Sequence, residues 1–153
     1  MEGTTFEELY RMYSLKDKTD YTGYTEEEVK EIYKGYLLSA IAKFPTCYED
    51  REEVEVNELL ELITPSLTLM EKDITVELMG LVSIEKDVVS IQSLSAILTT
   101  SDYKVVSGSQ SLSEKESMVM NKQNYIDKLI AEYGTRINIK DIARIKKNKK
   151  RRY

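Results

Sequence analysis

Carboxylates are the side chains in this sequence best suited to chemistry, since 27 of the 153 residues are Asp or Glu and none is His. Paired carboxylates serve general acid–base catalysis or bind Mg²⁺. The most concentrated group consists of five glutamates, Glu52, Glu53, Glu55, Glu58 and Glu61. We interpret them as the solvated side of a helix, because no phosphate-binding glycine loop accompanies them and Gly108 stands alone between serines. We therefore predict no catalytic residues, no metal ligands, no cofactor and no enzymatic activity.

The missing residue types exclude further classes of chemistry. Without histidine the chain has no Ser-His-Asp or Cys-His nucleophile and no His-ligated metal site. The single cysteine, Cys47, cannot form an intramolecular disulfide. Its position beside Phe44 and Pro45 favours a small buried hydrophobic residue over a nucleophile.

Charge is distributed unevenly along the chain. The net charge is −5, from 22 Lys and Arg against 27 Asp and Glu. Residues 136–153 hold nine of the basic residues and one acid, a net charge of +8, which leaves −13 on residues 1–135. We therefore divide the chain into an acidic helical domain, residues 1–135, and a basic C-terminal arm, residues 136–153.

The arm ends in the sequence KKNKKRRY, in which Lys146–Arg152 carries six positive charges and no apolar anchor. Because like charges repel, we predict that this segment is extended or disordered in isolation. Four uses stay open at this point. The segment could neutralise nucleic-acid phosphates, dock into an acidic groove of another protein or of a second copy, act as a nuclear import signal, or remain solvated without a partner.

Hydrophobic periodicity predicts a mainly α-helical bundle with a long central helix. The predicted helices cover Thr5–Ser14, residues 25–44, residues 56–63, residues 67–98 and Ser113–Tyr133. Gly80 leaves open whether the fourth is one helix or two, and Gly134 marks the end of the last. The Ser-rich stretch 99–113 predicts a loop, within which only Tyr103–Val106 could form a short strand or a small β-hairpin excursion. Beyond Gly134, the isoleucines of 137–145 begin a last short helix or an extended arm.

Tyrosine dominates the aromatic residues, with eleven Tyr against two Phe and no Trp. Six of them lie in the first 36 residues, namely Tyr10, Tyr13, Tyr21, Tyr24, Tyr33 and Tyr36. An amphipathic ring suits a surface that is buried only when a partner binds, and it also suits the edge of a small core. Both interpretations stay open.

The start of the chain, MEGTTFEELY, lacks the basic residues and apolar run of a secretory signal, and no stretch approaches 18 uninterrupted apolar residues. We therefore expect a soluble protein made in a reducing compartment, without a membrane partner.

The layout of residues 67–153 resembles the head-to-tail connector proteins of tailed bacteriophages. The resemblance lies in a long central helix, a Ser-rich excursion over Ser101–Ser109, a following helix over Ser113–Tyr133 and a C-terminal arm. It implies a structural virion protein that forms a neck or adaptor ring, typically of twelve copies, beneath the portal. It also implies synthesis in the host cytoplasm and a final location in the virion neck.

The resemblance further implies that the arm docks against an adjacent subunit or the portal and becomes ordered on assembly. The residues assigned to this contact are Lys146, Lys147, Lys149, Lys150, Arg151, Arg152 and Tyr153. A second contact is assigned to Tyr103, Lys104 and Val105. The expected partners are copies of the same chain, the portal, further neck or tail proteins and, non-specifically, DNA. The alternative function is a small nucleic-acid-binding protein that uses its basic tail on phosphates.

Overall fold

Helices account for most of the chain in the computed structural model, which describes residues 3–44, 54–98 and 106–150. The elements in chain order are β1 (Thr4–Thr5), α1 (Phe6–Ser14), α2 (Glu26–Lys43), β2 (Glu55–Asn57), β3 (Leu62–Thr64), α3 (Leu69–Leu98) and α4 (Val106–Lys150). This architecture confirms the prediction of a mainly helical bundle with a small β excursion. The small sheet that the structure describes is formed by β1, β2 and β3, whereas the excursion predicted over Tyr103–Val106 lies outside the described residues except for Val106, which begins α4.

The first two helices begin at the residues that their capping patterns predict. Thr5 precedes α1, and its side-chain oxygen accepts a hydrogen bond from the N–H of Glu8 at 3.3 Å. Thr25 precedes α2 and forms a complete capping box with Glu28, in which each side chain accepts from the other residue's N–H. These contacts satisfy backbone donors that the first turn of a helix leaves unpaired.

The predicted helix over residues 56–63 is wrong, because this segment forms a β-hairpin. β3 is the central strand of an antiparallel sheet with β1 and β2 on either side, and Ile63 lies opposite both Thr4 and Val56. The Asn57 side chain accepts hydrogen bonds from the N–H groups of Leu59 at 3.1 Å and Leu60 at 3.0 Å, which holds the turn. The glutamates on this hairpin are exposed, with Glu55 on β2 and both Glu58 and Glu61 in the turn, and none of them lies on a helix. Glu52 and Glu53 lie outside the described residues.

The long central helix, α3, is one helix and runs through Gly80 without a break. Its first half is the centre of the core, with Ile74, Met79 and Leu81 fully buried. α1, α2 and α4 all pack against it. An interior glycine weakens a helix by about 1 kcal/mol relative to alanine, which is small against the burial that α3 gains from three neighbours.

The last helix, α4, is longer at both ends than the sequence pattern indicates. It begins at Val106, inside the predicted loop, and continues past Gly134 to Lys150. The segment Lys146–Arg152, predicted to be extended or disordered in isolation, is instead helical in its described part, residues 146–150, and the helix end predicted at Gly134 is wrong. Lysine and arginine are good helix formers, so a helix already propagating on α3 continues through them despite one glycine.

Candidate assembly interface

Three polar contacts fix how α4 pairs with α3. Lys115 Nζ lies 2.7 Å from the Asp87 carboxylate, Lys122 Nζ donates to Glu77, and the Tyr133 hydroxyl donates to Glu71. The residue numbers on α4 rise from 115 to 122 to 133, while those of their partners on α3 fall from 87 to 77 to 71. The two helices are therefore antiparallel.

Glu77 is the buried centre of this pairing. Its carboxylate receives Lys122 from α4 and, at 2.6 Å, Lys16 from the segment after α1. Burial alone raises the pKa of Glu77, but hydrogen bonds and charge from Lys122 and Lys16 outweigh it and hold that pKa below its ordinary value of 4.5. The ionised carboxylate therefore joins three segments of the bundle.

Glu71 performs a similar task in the first turn of α3. One carboxylate oxygen accepts from the Thr68 N–H at 2.6 Å, and the other accepts from the Tyr133 hydroxyl, while the side chain of Glu71 is buried. Tyr133 is therefore level with the start of α3. The 17 residues of α4 that follow it continue beyond the start of α3 for about 25 Å, at 1.5 Å per residue.

We call residues Arg136–Lys150 the basic extension. It contains seven basic residues and a single acid, Asp141, for a net charge of +6. Its helical backbone includes four of the residues assigned to docking, Lys146, Lys147, Lys149 and Lys150. The other assigned residues, Arg151, Arg152, Tyr153, Tyr103, Lys104 and Val105, lie outside the described residues.

Exposed glutamates from three segments gather at the end of the bundle where the basic extension leaves it. Lys30 of α2 lies 3.9 Å from Glu7 of α1, and the Phe6 N–H donates to the Glu61 carbonyl at 2.9 Å, so these segments meet. We call this surface the acidic end; it comprises Glu7, Glu31, Glu55, Glu58 and Glu61. Sequence reasoning missed it, because its members come from three separate stretches of the sequence, residues 7, 31 and 55–61.

The Tyr10 hydroxyl lies beside the acidic end without a hydrogen-bond partner among the described residues. Tyr10 is 6% exposed, and burial followed by the negative charges of Glu61, Glu31 and Glu7 raises its pKa well above the ordinary value. The hydroxyl is therefore neutral at physiological pH, and its oxygen can still accept a hydrogen bond.

Apolar side chains lie exposed on the hairpin within the acidic end. Leu59 is 97% exposed and Leu60 63% exposed. They border a shallow concave surface of about 470 Å³ that Val56 and Leu62 also line and that Glu55 and Glu58 flank. We call residues 55–64 the hairpin surface; it is an apolar patch with an acidic rim.

The N-terminal tyrosines belong mainly to the core. Tyr10, Tyr13 and Tyr33 are buried and form edge-on ring contacts, while Tyr24 is exposed. The Asp17 carboxylate accepts from the hydroxyls of Tyr21 at 2.7 Å and Tyr33 at 3.2 Å. This packing favours the interpretation of a tyrosine-edged core over a partner surface.

Within the described ranges, no group of three or more Asp, Glu or Cys side chains is arranged to hold a metal ion. No helix in that part of the chain is long and apolar enough to cross a membrane. No protein-family model, curated protein or solved structure matches this chain. A function therefore has to be inferred from the chain's own surfaces.

Proposed function

We propose that this chain is a structural subunit that assembles with copies of itself through the basic extension. In its finer form the proposal is a neck or connector ring that links the portal to the tail of a tailed bacteriophage. The observation that carries it is the course of α4. This helix pairs with α3 as far as Tyr133 and then continues for about 25 Å with a net charge of +6 over Arg136–Lys150.

A helix with this positive charge binds most favourably to a negatively charged surface. The rest of the chain supplies one, since residues 1–135 carry −13. Because the acidic body and the basic extension have opposite charge, the extension of one copy can bind the acidic body of the next copy. Contacts of this heterologous kind generate closed rings when the rotation between neighbours closes, and complementary charge orients the subunits as they meet.

The alternative is that the basic extension binds nucleic-acid phosphates, since seven cations along one helix suit that contact too. The acidic end favours a protein partner, because it lies where the extension leaves the bundle. A polyanion approaching the base of the extension would be repelled within a screening length of about 8 Å at physiological salt. The experiment below measures DNA binding beside self-association.

The test compares the full chain with a variant that lacks Ile145–Tyr153. A length-matched variant replaces the six cations of 146–152 with Gln. All three should keep the same melting temperature, because the α3–α4 contacts described above end at Tyr133. Mass is measured by sedimentation over a salt series, and affinity for duplex DNA by fluorescence anisotropy over the same series.

We expect the full chain to form an oligomer at low salt that dissociates as salt rises. Both variants should be monomeric, with DNA affinity unchanged. Three results would overturn the proposal: a monomeric full chain at every concentration and salt, variants that assemble like the full chain, or variants that keep their mass and lose salt-dependent DNA binding.

The phage assignment has a test of its own. Electron microscopy of the assembled protein should show closed rings, for which the connector family implies twelve copies, and antibodies should label the neck of intact virions. Open filaments, or virions without the protein, would contradict the connector role and leave self-assembly standing.

A further inference from the structure

We infer that the hairpin surface of one copy, residues 55–64, is the receptor for the basic extension of a second copy. This inference rests on the proposed function and names the surface that the extension contacts. The first support is the exposure of the leucines on the turn. Leu59 is 97% exposed and has no role in the core, and Leu60 is 63% exposed beside it.

The turn that presents these leucines is well defined by local contacts. The Asn57 side chain accepts from two backbone N–H groups of the turn, and Glu61 adopts a positive φ of 48° that closes it onto β3. The backbone that carries the leucines is therefore defined before a partner binds. Apolar side chains at the centre of a polar rim are the usual arrangement of a protein interface.

The rim determines which partner fits. Glu55 and Glu58 flank the apolar patch, with Lys34 3.9 Å from Glu58, and Glu61 ends the turn, so the rim carries more negative than positive charge. An acidic rim repels nucleic acid and anionic lipid and attracts a basic segment. The basic extension combines seven basic residues with four isoleucines, Ile137, Ile139, Ile142 and Ile145. It is complementary to the hairpin surface in both charge and apolar character.

The unpartnered Tyr10 hydroxyl lies next to this rim. The backbone of Glu61 is bonded to Phe6 at the start of α1, and Tyr10 is one helical turn further along. A lysine or arginine nitrogen seated among Glu7, Glu31 and Glu61 would neutralise these carboxylates.

The course of α4 assigns the receptor to a second copy. α4 packs on α3 as a continuous helix, so its last turns move away from the bundle and do not fold back onto the hairpin of the same chain. The extension can therefore reach the hairpin surface only of another copy.

The experiment uses two hairpin variants of the full chain. In one, Leu59→Ser and Leu60→Ser remove the apolar centre; in the other, Glu55→Lys, Glu58→Lys and Glu61→Lys reverse the rim. The matched control is Leu15→Ser, because Leu15 is also strongly exposed, at 88%, but lies after α1, outside the acidic end. Self-association is measured by sedimentation at low salt, and folding by the melting temperature.

We expect the leucine variant to weaken self-association at least tenfold with an unchanged melting temperature, and Leu15→Ser to leave it unchanged. The rim variant should fail to self-associate. Mixing it with a chain that carries Lys146→Glu, Lys147→Glu, Lys149→Glu and Lys150→Glu should restore a mixed complex, because each supplies the charge that the other lost.

The outcomes separate this inference from the proposed function. If deletion of Ile145–Tyr153 abolishes assembly and both hairpin variants assemble like the full chain, the function stands and the receptor surface is wrong. A second outcome would also contradict the inference: the hairpin variants fail to assemble while the deletion variant assembles normally. The hairpin would then bind something other than the extension. If the full chain never self-associates, both fail together.

Discussion

Lys122 of α4 reaches Glu77 of α3 by passing directly over Gly80. A Cβ atom placed on Gly80 would lie 3.2 Å from the Lys122 Cε atom and 3.3 Å from its Nζ. In the sequence, Gly80 raised the question of whether α3 is one helix or two. In the structure, it has a packing role. Its missing side chain provides the passage for the lysine that pairs with a buried carboxylate.

The first prediction concerns Glu77→Gln. The amide keeps the shape of the side chain but removes the charge that Lys16 and Lys122 contact, so we expect the free energy of unfolding to fall by about 2 kcal/mol. The matched control is Glu85→Gln, which removes the half-exposed pair with Lys43 and should cost less than about 1 kcal/mol. Urea unfolding at neutral pH measures both. Equal losses would contradict a special role for Glu77.

The second prediction concerns pH. Because its two lysines hold the pKa of Glu77 below the ordinary 4.5, the unfolded chain takes up this proton at a higher pH than the folded chain. The stability that Glu77 contributes is therefore complete above about pH 4.5 and is lost as pH falls through the lower folded pKa. Urea midpoints measured from neutral to acid pH should fall more steeply for the wild type than for Glu77→Gln. Parallel curves would show that Glu77 is not perturbed.

The third prediction compares two glycines in helices. Gly35→Ala places its Cβ 3.6 Å from the Lys86 Nζ atom, an ordinary contact, so we expect the full helix-propensity gain of about 0.5 to 1 kcal/mol. Gly80→Ala should gain less or lose stability, because the Lys122 side chain must move. In a Lys122→Ala background the Gly80→Ala gain should return to that of Gly35→Ala. An undiminished gain in the wild-type background would contradict the crowding.

The fourth prediction separates a hairpin from a helix over residues 55–64. Glu61 has a positive φ of 48°, so Glu61→Gly should stabilise the protein by about 0.5 to 1 kcal/mol. In a helix the same substitution would destabilise by a similar amount. Glu58→Gly is the control, since Glu58 has no positive φ, and it should not stabilise. Chemical unfolding of the two variants gives the sign.

Local patterns in the sequence predict the starts of α1 and α2 well and fail where a partner decides the conformation. The Thr25 capping box predicts α2 because both of its contacts lie within four residues. Val56, Leu59, Leu60 and Ile63 have helical spacing, yet only Ile63 is buried, because β1 and β2 pair with β3 on both sides. No local signal reports that β1, formed by Thr4 and Thr5, lies beside that segment.

Of the two surfaces of the candidate interface, only the basic extension could be predicted from the sequence. The basic extension is visible in the sequence, because its charges are consecutive along the chain. Its helical state is not, since repulsion among lysines argues for an extended arm while continuation of α4 argues for a helix. The acidic end brings together Glu7, Glu31 and Glu61 from three segments, and only the folded chain makes them neighbours.

The pairing of α4 with α3 also sets a distance. Sliding α4 by one turn, about 5.4 Å, would separate Lys122 from Glu77 and Tyr133 from Glu71, and two buried carboxylates would lose donors. The length of helix that projects past Leu69 is therefore fixed inside each subunit before any partner arrives. In an assembly built through that helix, the contacts between α3 and α4 within one subunit therefore determine the spacing between neighbouring subunits.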